Sequence, residues 1–168
     1  MEIPKLIILR GNSGSGKTTV AKKLQRELGH GTLLISQDVI RRDMLWVKDK
    51  EGNRALPLLM ELVKYGRKNC SYTILEGILY ADWYMPLFET ALTEYGHSIY
   101  AYYYDLPFQE TLKRHRTKAN SQEFGEDAMR QWWREKDYIG IIPEQTFASH
   151  WSAEEAAEQI LSQIKKDI

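Results

Sequence analysis

Cysteine is almost absent from this chain of 168 residues, which contains only Cys70. A single cysteine cannot form an internal disulfide, so the fold must be stabilised by a packed core, and the chain is long enough to bury one. No apolar run approaches the roughly 20 residues that span a bilayer, and the first residues lack the charged and then apolar layout of a signal peptide. These absences predict one domain over residues 1–168, in a reducing, cytoplasmic setting without a membrane partner.

An excess of charge of either sign is also missing. Lysine plus arginine and aspartate plus glutamate each number 23, so the formal net charge is zero. Because no overall field draws such a protein to polyanions, long nucleic acid is not an expected partner, and any anion site must be local. The histidines have no metal-ligand spacing. The composition does not indicate an oligomeric state.

A glycine-rich loop is the clearest pattern that the chain does contain. It consists of Gly11, Asn12, Ser13, Gly14, Ser15, Gly16, Lys17, Thr18 and Thr19. This run fits G-x-x-x-x-G-K-[ST], follows the apolar residues 6–9, and precedes a helical stripe of Val20, Leu24 and Leu28. A chance Gly/Ser turn is the alternative, but the order of strand, loop and helix favours a nucleoside triphosphate site at a helix N-terminus.

The loop pattern also predicts separate roles for its residues. The amides of Gly14, Gly16 and Lys17 should surround the phosphates, because glycine adopts the backbone angles that turn N–H groups inward. The Lys17 ammonium should reach the β- and γ-phosphates, and the Thr18 hydroxyl should bind Mg²⁺. ATP and Mg²⁺ are therefore the expected cofactors.

Strand-length apolar runs alternate with helical patterns along the rest of the chain. The predicted strands are 6–9, 32–36, 72–76, 98–104 and, more weakly, 145–148. The predicted helices after the first are 53–68, 85–95, 107–118, 126–136 and 152–168. This alternation is typical of an α/β fold, and with the loop it predicts a three-layer P-loop NTPase fold with a mostly parallel five-stranded sheet and helices on both faces.

An acidic and a basic residue follow the second predicted strand, where a parallel sheet binds its ligands. Asp38 lies at the end of that strand, and Arg41 lies one helical turn further on. The carboxylate could accept a proton from an acceptor hydroxyl, and the arginine could bind an anionic or hydroxylated substrate. Asp38 could also cap the helix that begins near Val39, and the two roles are compatible.

A second acid, Glu76, ends the third predicted strand. It could hold Mg²⁺ through water, or it could orient Asp38 or a group of the substrate. Gly77 follows it and would allow a ligand or backbone to approach closely. Glu76 is therefore predicted to bind both metal and substrate.

The region 107–136 is predicted to form a helical lid with a mobile polar break at 119–125. Four arginines lie on either side of that break: Arg114, Arg116, Arg130 and Arg134. Arginines on a closing segment can neutralise a phosphoryl group in transfer while excluding water, although these could instead form a solvated face paired with acidic neighbours. Of the adjacent Trp132 and Trp133, which cannot share a helix face, one is predicted to pack inward and the other to line the lid or an acceptor pocket.

Taken together, these features resemble the small P-loop kinases. This group shares the nucleoside monophosphate kinase fold and includes gluconate and shikimate kinases, polynucleotide 5′-kinases, chloramphenicol phosphotransferase and zeta toxins. In its polynucleotide, chloramphenicol and zeta branches the acid after the second strand is the general base, which implies that role for Asp38. The D-x-x-R of the monophosphate kinases implies that Arg41 binds the acceptor's phosphate. The group's lid arginines map onto Arg114, Arg116, Arg130 and Arg134, which implies charge stabilisation, above all by Arg114, Arg130 and Arg134.

The activity that this resemblance implies is an ATP:Mg²⁺-dependent phosphotransfer. The γ-phosphate would move to a hydroxyl or phosphate of a small molecule, a nucleotide or a nucleic-acid 5′ end. The stretch 110–133 resembles a bacterial branch of these kinases, and this leaves the acceptor open. The alternative is a P-loop NTPase or nucleotide-sensing switch without a small-molecule acceptor, although the chain lacks the guanine-reading N-K-x-D element.

Overall fold

The computed structural model describes residues 2–12, 14–116, 125–147 and 151–167. Ser13 of the glycine loop and residues 119–124 of the predicted polar break lie outside these ranges, as do Lys118 at the end of a predicted helix and Ala148 at the end of a predicted strand. Among the described residues, none of the helices combines the length and apolar character needed to cross a membrane.

One parallel sheet forms the centre of the described structure. Its strands are β1 Lys5–Gly11, β2 Leu33–Ser36, β3 Tyr72–Gly77, β4 Ile99–Tyr104 and β5 Glu144–Thr146. Their spatial order is β2-β3-β1-β4-β5, and every neighbouring pair is parallel. This confirms the predicted α/β fold with its five-stranded sheet. Because β1 is central, the glycine loop that follows it lies in the middle of the carboxyl edge.

Helices cover both faces of the sheet. They are α1 Lys17–Leu28, α2 Gln37–Val39, α3 Ala55–Asn69, α4 Met85–Tyr95, α5 Phe108–His115, α6 Glu126–Trp132 and α7 Ala153–Lys166. Helix α2 continues directly into a π-helical turn, Ile40–Met44. The core on one face joins Ile7 and Leu9 to α1 and α7, and the core on the other face joins Leu6 and Ile8 to α3 and α4. Alternate residues of β1 therefore pack in opposite layers, as its period of two requires.

The predicted helix 126–136 is too long, because α6 ends at Trp132. Trp133 is extended, with φ −69° and ψ 133°, and the main chain of Arg134 then pairs with the side chain of Asn12. A tertiary contact therefore overrides the local helical pattern. The predicted helix 85–95 coincides with α4, and the other predicted elements differ from the described ones by one to a few residues at their ends.

A buried arginine connects four parts of the fold. Arg10 is fully buried, and its guanidinium donates to the carbonyl of Leu79 at 2.9 Å. It also forms ion pairs of 2.9 Å with Asp137 and with Glu144. These bonds link β1 to the segment after β3, the segment after α6, and the edge strand β5. The sequence pattern gave no sign of this network, because Arg10 lies at the end of an apolar strand.

Candidate active site

The glycine loop has the backbone that its sequence predicts. Gly14 and Gly16 have φ values of +83° and +95°, in the left-handed region that side chains rarely adopt. A Cβ atom on Gly14 would lie 2.4 Å from the carbonyl oxygen of Thr111 in α5. The loop and α5 are therefore packed so closely that only glycine fits at this position.

A lysine, a threonine and a glutamate meet at the start of α1. Lys17 is buried, and its ammonium donates to the carbonyl of Asn12 at 3.1 Å and to the hydroxyl of Ser15 at 3.2 Å. The hydroxyl of Thr18 donates to Glu76 Oε1 at 3.2 Å. The structure therefore brings together Lys17, Thr18 and Glu76, while Thr19 lies exposed on α1.

The carboxyl of Glu76 is nearly inaccessible to solvent, with an exposed fraction of 3%. Burial raises its pKa, and the nearby charge of Lys17 and the hydrogen bond from Ser36 oppose this effect. The Ser36 hydroxyl donates to Glu76 Oε1 at 2.7 Å, so β2 and β3 both position the carboxyl. Oxygen donors on two strands and a helix start are the ligand type that Mg²⁺ prefers.

Asp38 and Arg41 form an ion pair at the end of β2. Arg41 Nη2 lies 3.3 Å from Asp38 Oδ1, and the side chain of Asp38 is 51% exposed. Arg41 also donates to the carbonyl of Val47 at 3.1 Å. Asp38 lies inside α2, which begins at Gln37 after the N-cap residue Ser36, so it is not at the capping position that the sequence allowed. Both residues line a cavity, so the predicted pair is adjacent and faces a space in which a ligand could bind.

The four predicted lid arginines occupy different surroundings. Arg114 Nη1 donates to the carbonyl of Ser15 at 2.7 Å, which places its guanidinium against the glycine loop. Arg130 is largely exposed, pairs with Glu126 at 3.0 Å and lies over the ring of Phe108. Arg116 is exposed just after α5. The guanidinium of Arg114 on α5 thus bonds to the loop, whereas that of Arg130 on α6 pairs within its own helix.

Arg134 is held against the glycine loop by its main chain. The side-chain amide of Asn12 donates to its carbonyl at 2.6 Å and accepts from its N–H at 2.8 Å. The guanidinium pairs with Asp82 at 2.6 Å and stacks on Tyr80 at 3.8 Å. Burial raises the pKa of Tyr80 to about 12, so its hydroxyl stays protonated and donates to the carbonyl of Trp132.

A cavity of about 580 Å³ adjoins this cluster. Cavities of this size accommodate small ligands. Its lining residues are Asp38, Arg41, Arg42, Lys48, Asp49, Ile78, Tyr80, Trp83, Gln131, Trp132, Trp133 and Arg134. Trp132 and Trp133 both line it, so the expectation that one of them packs inward is wrong. The prediction assumed that both tryptophans lie on one helix, where neighbouring residues point to different faces. Because α6 ends at Trp132 and Trp133 is extended, that assumption does not hold.

Sequence reasoning missed two residues at this site. Asn12 was predicted only as part of the phosphate loop, whereas its side chain binds the segment after α6. Asp49 was not singled out, yet it lines the cavity, and its carboxylate accepts a hydrogen bond from the Tyr84 hydroxyl at 2.6 Å. The polar side chain at the second position of the loop was a signal that Asn12 could bond to another segment. Asp49 follows no strand and belongs to no motif, so the sequence carried no signal for it.

The sequence profile of a family described as an AAA domain (AAA_33) matches residues 6–136. This match covers the glycine loop, the strands β1 to β4 and the arginines on α5 and α6. The chain belongs to this family. No curated protein sequence matches the chain significantly.

Several solved structures of small P-loop kinases share this fold. The APS kinase of Mycobacterium tuberculosis is 21% identical, with a TM-score of 0.67 over 98% of this chain and 99% of that one. A shikimate kinase from Acinetobacter baumannii is 20% identical, with a TM-score of 0.65 over 99% of this chain and 96% of that one. A gluconokinase from Sinorhizobium meliloti 1021 is 16% identical, with a TM-score of 0.64 over 99% and 94%. These likenesses establish a small P-loop kinase fold along nearly the whole chain.

Proposed function

We propose that this protein is an ATP:Mg²⁺-dependent phosphotransferase that moves the γ-phosphate to a hydroxyl of a small molecule or nucleotide. The observation that carries the proposal is the connection between the glycine loop and the cavity. Arg134 is bonded to the loop residue Asn12 and also lines the cavity that Asp38 faces. An acceptor in that cavity would lie beside a nucleotide on the loop.

The nucleotide would be bound by the loop and its neighbouring cations. The amides of Gly14, Gly16 and Lys17 would surround the phosphates, and the ammonium of Lys17 would exchange its present bonds to the loop for phosphate oxygens. Arg114, already against the loop, would neutralise charge on the transferring group. The kinase neighbours support this assignment, since the APS kinase structure was determined with AMPPNP and APS.

The residues at the start of α1 fit a Mg²⁺ ion. Thr18 would ligate it through its hydroxyl, and Glu76 would hold it through water. When bound, Mg²⁺ would neutralise charge that develops between the β- and γ-phosphates. The buried carboxyl of Glu76 is suited to this role because a cation nearby favours its ionised form.

The acceptor would be activated by Asp38. A carboxylate at the cavity wall can accept the proton that a hydroxyl loses on attacking the γ-phosphate. Arg41, paired with it at 3.3 Å, would orient the carboxylate and contact the substrate. The exposed position of Asp38 leaves an oxygen available to an incoming group.

The test is single-turnover transfer from ATP, with ³¹P detection of the product, in wild type and in Asp38→Asn. A panel of nucleosides, nucleotides, sugars, aminoglycosides and 5′-hydroxyl oligonucleotides supplies the acceptor. Asparagine keeps the size of aspartate but accepts no proton, so transfer should fall by roughly 10²- to 10⁴-fold while ATP affinity stays near wild type. The matched control is Asp43→Asn, an exposed acid in the same segment that does not line the cavity.

Two results would contradict the proposal in different ways. Transfer by Asp38→Asn within a few-fold of wild type would remove the base role and leave Glu76 as the acid to test next. ATP hydrolysis that no member of the panel changes would favour an NTPase or nucleotide-sensing switch instead.

A further inference from the structure

We propose that Asp49 is the acceptor-binding carboxylate of this site, and that the acceptor is a neutral or cationic molecule with a flat ring face and a hydroxyl or amino donor. This inference rests on the proposed phosphotransferase function. It follows from three observations: how Asp49 is held, which side chains form the cavity walls, and how the arginines there are already paired.

Asp49 is fixed by neutral donors. Its Oδ1 accepts the Tyr84 hydroxyl at 2.6 Å and the Asn53 amide at 3.5 Å, and its Oδ2 accepts the Gln37 amide at 3.2 Å. Burial and the hydrogen bond to Asp49 raise the pKa of Tyr84, so this donor stays protonated. No salt bridge to Asp49 occurs among the residues that the structure describes. A carboxylate has about four lone-pair sites, so Asp49 retains capacity for a donor from a ligand.

Aromatic side chains form much of the wall beside Asp49. Three of the chain's 5 tryptophans, Trp83, Trp132 and Trp133, line the cavity together with Tyr80. The rings of Tyr80 and Trp83 meet edge to face at 4.9 Å, which fixes the orientation of Trp83. Tryptophan faces stack on flat, weakly polar rings, so they favour an aromatic base or the apolar face of a sugar ring.

Two of the arginines on the wall are already bonded within the protein. Arg41 is held by Asp38 at 3.3 Å and by the Val47 carbonyl at 3.1 Å. Arg134 is held by Asp82 at 2.6 Å and stacked on Tyr80. An anionic acceptor that bound Arg41 or Arg134 would have to displace one of these partners, whereas a neutral or cationic ring leaves both pairs intact. Arg42 and Lys48 also line the cavity, but the carboxylates of Asp38 and Asp49 on the same wall disfavour an anionic group beside them.

The experiment compares two groups of acceptors in an ADP-release assay with ³¹P detection of the product. One group contains nucleosides and, as a separate set, aminosugars. Both have a ring face and hydrogen-bond donors, and comparing the two sets shows whether the site prefers an aromatic base or a sugar ring. The other contains nucleoside monophosphates and sugar acids. We expect transfer to a member of the first group, with kcat/KM at least about tenfold above its anionic counterpart, since a mispaired buried charge costs at least that factor.

Asp49→Asn tests the residue itself. Asparagine still accepts from Tyr84 but loses the charge, so KM for the ring acceptor should rise about 10- to 100-fold while ATP affinity stays within about twofold. Glu51→Gln, an exposed acid in the same loop, is the matched control and should leave KM unchanged. Trp83→Leu should raise the same KM without changing ATP affinity.

The outcomes separate the inference from the function on which it rests. Preferred transfer to an anionic acceptor, or an unchanged KM in both Asp49→Asn and Trp83→Leu, would overturn the inference and leave the phosphotransferase intact. ATP hydrolysis without transfer to any compound would overturn both.

Discussion

The side chain of Asn12 and the main chain of Arg134 are paired in both directions, with bonds of 2.6 Å and 2.8 Å. Asn12 is buried in the glycine loop, and its carbonyl also accepts the ammonium of Lys17 at 3.1 Å. Arg134 lines the cavity, where its guanidinium stacks on Tyr80. One residue thus joins the lysine expected to bind phosphate to the wall of the candidate acceptor site.

Replacing Asn12 should loosen that wall. In Asn12→Ala the main chain of Arg134 loses both partners, so amide exchange around Arg134 should accelerate and the free energy of unfolding should fall by about 1–3 kcal/mol. Hydrogen exchange and thermal melting measure the two effects. Asn69→Ala, which removes an exposed asparagine that donates to the Tyr65 carbonyl, is the control. Equal exchange near Arg134 in both variants would contradict the role given to this pair.

Lys17→Ala should separate nucleotide binding from folding. The variant removes the ammonium expected at the β- and γ-phosphates, so ATP turnover should fall severely. The hydrogen bonds to Asn12 and Ser15 that it loses lie within the same loop, so the fold should persist. Calorimetry measures ATP affinity, and circular dichroism checks the fold. A folded variant with wild-type affinity and turnover would refute the phosphate role.

Arg114 and Arg130 should differ in their effect on turnover. Arg114 lies against the carbonyl of Ser15, so Arg114→Ala should lower single-turnover transfer roughly 10²-fold or more. Arg130 is exposed and paired with Glu126, so Arg130→Ala should change it only a few-fold. Both variants remove one arginine from the region 107–136, which is predicted to form a lid, and they serve as controls for each other. A larger loss in Arg130→Ala would mean that α6 moves towards the phosphates during transfer.

Glu76 should make stability fall as pH rises. Burial raises its pKa above the ordinary value of 4.5, so the folded state binds the proton more tightly than the unfolded state does. The free energy of unfolding should therefore decrease from about pH 4.5 up through the raised pKa, by about 1.4 kcal/mol for each tenfold difference in proton affinity.

Glu76→Gln removes this dependence. The variant should melt higher than wild type above that pH range, with the difference shrinking towards pH 4.5, and its activity should fall because the proposed Mg²⁺ site loses a carboxylate. Melting curves across pH in a Mg²⁺-free buffer measure the effect. A stability difference that grows as pH falls would show that burial is not the dominant influence on this carboxyl.

Arg10 should be among the most costly residues to replace. Arg10→Met would leave Glu144 without its cation and Asp137 with only its 3.9 Å pair to Arg134, and breaking a buried ion pair from one side costs about 3–5 kcal/mol. Urea unfolding gives the value. Arg26→Met, at an exposed position of α1, should change stability by less than about 0.5 kcal/mol. A small loss in Arg10→Met would mean that the two carboxyls find other partners.

Local sequence determined the nucleotide loop and the layers of the fold. The loop pattern depends on residues within one strand, one turn and one helix, so spacing alone predicts the backbone found at Gly14 and Gly16. The same holds for the alternating strands and helices, because apolar periodicity is a property of neighbouring residues. The meeting of Thr18 and Glu76 also followed from the sequence, since β1 and β3 end at the same edge of a parallel sheet.

Tertiary structure alone decided how the wall of the cavity is assembled. Asn12 and Arg134 are 122 positions apart, and Asp49 and Tyr84 are 35 apart, so no local pattern relates them. The end of α6 at Trp132 depends on the bond from Arg134 to Asn12, which overrides helical periodicity. Backbone preferences act over a few neighbouring residues. Burial and hydrogen bonding, by contrast, join segments that the order of the strands brings together, and these long-range contacts shape the cavity.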